Sequence, residues 1–95
     1  MQTTASVATT NASRYLQQLC KHFGHKIETR FDESSGTCLF PTGTVGLAAH
    51  DDRLVITVTA DDEEALARWR EVIWSHLVRF AFREDLVAPD WTAAG

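Results

Sequence analysis

The sequence predicts an α+β domain in the order α-β-β-β-β-α, a four-stranded antiparallel meander with two helices packed on one face. Two stretches carry apolar residues at helical spacing and bracket four short segments in which apolar and polar residues alternate. The segments are joined by turns of a few residues, too short for the crossovers that parallel strands need. At 95 residues the chain fits one domain, placed over residues 11–91.

Residues 1–10 are rich in Thr, Ala and Ser with almost nothing large to bury, and read as a disordered N-terminal tail. The first helix is expected over Ala12 to Phe23, with Asn11 or Ser13 capping its start. Ala12, Tyr15, Leu16, Leu19, Cys20 and Phe23 make one apolar face, and Gly24 is expected to end the helix in the left-handed conformation. Ile27, Thr29 and Phe31 alternate with Glu28, Arg30 and Asp32 in a first strand. Thr37 to Phe40 and Thr44 to Ala49 follow, separated by Pro41-Thr42-Gly43. Leu54, Ile56, Val58 and Ala60 mark the fourth and clearest strand.

The second helix opens with Asp61 and Glu64 in the spacing of a capping box, and its early acids suit the positive end of the helix dipole. Leu66, Trp69, Ile73, His76, Leu77 and Phe80 form its stripe. Val72, Trp74 and Val78 widen that arc beyond one sheet face, which implies burial on two sides. The first helix, the Leu86–Trp91 segment or a partner subunit are the available covers. Trp74, Val78 and Phe82 are the candidate contacts of a homodimer. Residues 92–95 read as a disordered C-terminus.

The formal charge is −4, which disfavours non-specific binding to nucleic acid or an anionic membrane. No apolar run approaches the roughly 20 residues that span a bilayer, and residues 1–10 lack the pattern of a signal peptide. The cytoplasm is the expected location, where Cys20 and Cys38 stay reduced.

The stretch Cys20-Lys21-His22-Phe23-Gly24-His25-Lys26 concentrates the chemistry-bearing residues, and His76 lies in the stripe of the second helix. Zinc, iron or haem would need several such side chains at one point. The C-x-H-x-x-H spacing matches no specific zinc pattern. In an up-down meander the two helices run antiparallel. The Cys20 end then lies beside Leu66, with His76 roughly 20 Å further along at 1.5 Å per residue. Packing explains Cys20 and His76, and interaction with the helix dipole explains His22 and His25. A nucleophilic Cys20 would sit at the helix end that disfavours a thiolate. The sequence contains no Ser/His/Asp arrangement, phosphate loop or paired catalytic carboxylates, so it leans away from an enzyme.

Ser13 to Lys26 resembles the opening of a small bacterial domain of unknown function, and His76-Leu77-Val78-Arg79-Phe80-Ala81-Phe82-Arg83-Glu84-Asp85-Leu86 resembles its closing motif. The likeness covers residues 13–91. It implies a free-standing protein, in some cases associated with siderophore-interacting flavoproteins that reduce ferric chelates. That in turn implies an accessory role in iron handling, with Cys20, His22, His25 and His76 as the candidate metal or ligand positions. The alternatives are a homo-oligomeric interaction protein with purely structural Cys and His, and a small thiol-dependent enzyme.

Overall fold

The computed structural model describes residues 1–84, 86 and 89–93. The elements are β1 (Gln2–Ala8), α1 (Ala12–Phe23), β2 (Glu28–Phe31), β3 (Ser35–Phe40), β4 (Gly43–Ala49), β5 (Arg53–Ala60), α2 (Glu63–Phe80) and β6 (Thr92–Ala93). The α+β class and both helices follow the sequence expectation. The meander β2–β5 is present and antiparallel throughout.

The sheet is larger than four strands. Its order is β2-β3-β4-β5-β1-β6, with β1 antiparallel to β5 over seven residue pairs from Gln2↔Thr59 to Ala8↔Arg53. The expected tail is therefore an interior strand. Thr3, Ala5 and Val7 point inward and are buried, while Gln2, Thr4 and Ser6 alternate outward. Such small side chains carry little hydrophobic signal, but β-branched Thr and Val suit a pleated surface. The Met1 amino group donates to the Ala60 carbonyl at 2.6 Å. Thr92–Ala93, also expected to be disordered, pair with Thr4 and Thr3 at the far side of β1. Residues 94 and 95 lie outside the described residues.

One face of the sheet is apolar because each strand presents alternate residues to the helices. Val45 lies opposite Cys38 and Val58, and Leu47 opposite Ile56. These five are almost fully buried, together with Leu16 and Leu19 of α1 and Ile73 and Leu77 of α2. The second apolar side of α2 is covered from within the chain, since Trp74, Leu86 and Trp91 pack half-buried against the same core.

Three local expectations are corrected. Asp62, not Asp61, caps α2, its carboxylate accepting from the Ala65 N–H at 2.8 Å. Asn11 stands at the start of α1 but makes no cap, because its side chain donates to Glu84 instead. Gly24 is right-handed, at φ −60° and ψ −15°. Its value is space: a Cβ there would stand 3.0 Å from both the Cys20 carbonyl oxygen and Thr29 Oγ1.

The helices run antiparallel, but their ends do not coincide. Tyr15, in the first turn of α1, donates its hydroxyl to Glu84 beyond the end of α2. About two turns later in α1, His22 meets His76, two turns back in α2. The last turn of α1 thus ends opposite His76, the fourteenth of the 18 residues of α2. The expectation that its end lies beside Leu66, far from His76, is overturned.

Candidate functional site

Where α1 ends, the chain opens a cleft of about 390 Å³. The last turn of α1 and the following loop contribute His22, Phe23, His25, Lys26 and Ile27; the end of β3 contributes Phe40 and the turn after it Pro41; α2 contributes Trp69, Val72 and His76. Trp69, Val72 and His76 stand at i, i+3 and i+7, one face of a helix.

The aromatic wall is fixed from several sides. Phe40 stacks on Trp69 with centroids 4.3 Å apart, and Phe23 meets Phe40 edge-on at 5.1 Å. The Trp69 indole N–H donates to Thr42 Oγ1 at 2.8 Å. Gly43 supplies the room behind it, because a Cβ there would fall 2.6 Å from Trp69 Cδ1 and 2.9 Å from the Thr59 carbonyl oxygen.

The imidazoles form the polar side. His22 and His76 lie 5.0 Å apart between centroids; Phe23 touches both rings and Phe80 touches His22. His76 Nδ1 lies 2.7 Å from the Val72 carbonyl oxygen. A carbonyl can only accept, so Nδ1 carries the proton and Nε2 is the acceptor of the neutral ring. His22 is held below the ordinary histidine range, by partial burial first and then by the positive neighbours His76, His25, Lys26 and Arg79. Among the described residues no carboxylate lines the cleft.

Of the four residues expected at a metal or ligand site, His22, His25 and His76 line this cleft and Cys20 does not. Cys20 turns into the core, fully buried, with its Sγ 3.9 Å from Cys38 Sγ. A hydrogen bond from Cys38 holds the Cys20 thiol below the ordinary thiol range, with burial of the sulfur opposing it. Cys38 is pushed well above the ordinary thiol range by its bond to Cys20 and by burial. A nucleophilic thiol needs exposure and a nearby base, so the thiol-enzyme reading loses its premise. Among the described residues no three or more His, Cys, Asp or Glu side chains converge as metal ligands. The residues present do not fit a zinc or iron centre of three or four protein ligands.

The sequence reading missed Phe23, Lys26, Ile27, Phe40, Pro41 and Val72 as parts of a site, and treated Trp69 mainly as core. The i, i+7 spacing of Trp69 and His76 was a usable signal. Of the candidate partner contacts, Trp74 is half-buried and borders Pro89, Asp90 and Trp91, whereas Val78 and Phe82 are exposed. A second hollow, of about 520 Å³, lies along Thr10 to Lys21. A single polar helix face and the residues just before it wall that hollow, so it brings no separate elements together.

The model of an uncharacterised family conserved in bacteria (DUF2218) matches residues 4–92. The chain belongs to that family. Its membership bears out the resemblance carried by Ser13–Lys26 and His76–Leu86. The chain is also similar to PA4090 from Pseudomonas aeruginosa, whose NMR structure superposes with a TM-score of 0.82 at 35% identity. That match spans 96% of this chain and 94% of the other. No curated protein matches the chain. Among the described residues, no helix of this DUF2218 member is long and apolar enough to cross a membrane.

Proposed function

We propose that the chain is a small-molecule binding module whose site is the cleft at the end of α1. One observation carries the reading: α1, β3 with its turn, α2 and the loop after α1 each send side chains to one hollow of about 390 Å³. Ligand sites are commonly concavities of roughly 300–1,000 Å³, apolar with a few placed polar groups. The Phe40–Trp69 stack offers a flat wall, so a ligand of one or two fused rings suits it. An accessory role in iron or siderophore metabolism, beside a flavoprotein that reduces ferric chelates, is one setting for such a module and rests on the family resemblance alone.

The test is chemical-shift mapping with the uncharged fluorophore N-phenyl-1-naphthylamine. The expected result is saturable perturbation centred on Phe23, Phe40, Trp69 and Val72, abolished by Val72→Trp, which fills the cleft. Perturbation scattered elsewhere, or unaffected by the filled variant, overturns the reading.

A second reading is homo-oligomerisation through α2. It is favoured by Val78 in the last turn of α2 and Phe82 just beyond its end, which are 43% and 75% exposed. Sedimentation of the wild type against Phe82→Asp decides it, and a monomeric wild type sinks it.

A further inference from the structure

We propose that the cleft takes its ligand as an organic anion, an aromatic or apolar body bearing one acid group, and gains a proton on His22 as it does so. This rests on the cleft being a binding site and adds the ligand's charge and its linkage to pH.

The first argument is the distribution of charge. The chain carries 13 Asp and Glu against nine Lys and Arg. An average patch of its surface is therefore acidic. The cleft is the reverse: three of the four histidines and Lys26 line it, and among the described residues no carboxylate does. Arg79, one turn of α2 beyond His76, adds a further positive charge felt at His22. A hollow with one sign of charge and low-dielectric walls concentrates ions of the other sign.

The second argument is the geometry of the imidazole pair. With ring centroids 5.0 Å apart, two imidazolium ions would repel each other. The titratable and charged groups facing His22 are His76 and Arg79 from α2 and His25 and Lys26 from the loop after α1. β3 contributes only Phe40, and the turn after it Pro41, neither charged. Among the described residues, every charged or titratable group that bears on His22 is thus basic, which disfavours its proton while the cleft holds no anion. A ligand acid group supplies the missing negative charge. It stabilises the protonated ring, and linkage requires affinity to rise as pH falls. The protonated His22 ring donates a hydrogen bond to the acid group while the ligand body lies against Phe40 and Trp69.

The experiment compares two fluorophores of closely similar body. 1-Anilinonaphthalene-8-sulfonate is ionised at all working pH values, and N-phenyl-1-naphthylamine is uncharged. Wild type is titrated between about pH 6 and pH 8, above the sequence pI of about 5.4, so the protein stays net negative. The sulfonate is expected to bind about fivefold more tightly at the lower pH, and the uncharged compound to change less than about twofold. His22→Gln is expected to cut the sulfonate's pH dependence to below about twofold. A sulfonate affinity that is flat with pH, or a pH dependence retained in His22→Gln, overturns this inference while uncharged binding preserves the cleft reading. If neither compound is displaced by the Val72→Trp filling, both fall.

Discussion

Helix α1 meets the α2 side of the molecule at both ends, and the two contacts differ in kind. At its start, Thr9, Asn11 and Tyr15 all donate to the carboxylate of Glu84, at 3.0 and 3.2 Å from Thr9 and 3.1 Å from Asn11. At its end, His22 and Phe23 face His76, Phe40 and Trp69 around an open cleft. The first cluster is the richer in polar contacts, yet its acceptor is saturated by the chain itself. A hollow of about 310 Å³ borders the first cluster too, but the second has fewer polar contacts and lines its cleft with imidazoles rather than with a carboxylate already spent within the chain. Reactive residue types do not by themselves separate a staple from a site. What separates them is whether their hydrogen bonds are already spent inside the protein.

The sharpest way to break this contrast is Glu84→Ala. It strips the acceptor from three side chains at once and unlatches the turn after α2 from α1. Losing charge-assisted bonds and stranding partly buried donors is expected to cost about 3 kcal/mol in urea unfolding. Affinity of the cleft for N-phenyl-1-naphthylamine should change less than about twofold, since clusters this far apart act independently. A stability loss below about 1 kcal/mol would show that Glu84 is no anchor.

Gly43→Ala probes the other end and is expected to act a little more weakly on stability, by about 2 kcal/mol, as overpacking does. The new Cβ would sit 2.9 Å from a backbone oxygen that cannot yield and 2.6 Å from the Trp69 ring that can. The indole should swing away from Phe40, changing near-ultraviolet circular dichroism and weakening the fluorophore. Unchanged spectra with unchanged affinity would mean that the aromatic wall is not seated by Gly43.

The contrast also explains what could be read in advance. Both helices and the β2–β5 meander were legible because their apolar faces repeat at the period of the element, as in Leu54, Ile56 and Val58. Strand β1 was not, because its inward residues are Thr3, Ala5 and Val7, too small to raise a hydrophobic pattern. Its evidence is cross-strand pairing with β5, which lies more than fifty residues away. The helix directions were deducible from the meander, but their offset was not. That offset shows only in the tertiary contacts, with Tyr15 against Glu84 near the start of α1 and His22 against His76 near its end. Three of the four proposed site residues do share a cleft, while Cys20 belongs to the core on the inward face of the same helix.

The smallest expected effect is the most discriminating, because it separates the two ends by pH alone. Glu84 is held below the ordinary carboxylate value of 4.5, chiefly by the Tyr15 hydroxyl and then by Asn11. A lowered carboxylate contributes stability above its unfolded value, and that contribution is lost as pH falls through the folded one. His22 is held below 6.5. A lowered imidazole leaves the fold unpenalised above that value and penalises it as pH drops below, where the unfolded chain binds the extra proton. Both groups therefore weaken the fold on acidification, in separate windows. The His22 step sets in as pH falls through the ordinary value of 6.5 and is the smaller, since the ring is exposed and screened. The Glu84 step falls below about pH 4.5. Urea midpoints followed across both windows should show His22→Gln flattening only the first and Glu84→Gln only the second. A bound anion should act on one window alone: it stabilises the protonated His22, so saturating sulfonate turns the first step from a loss into a gain and leaves the Glu84 step where it was. If the ligand moved both steps, or neither, the two ends of α1 would not be the independent staple and site that their hydrogen bonding implies.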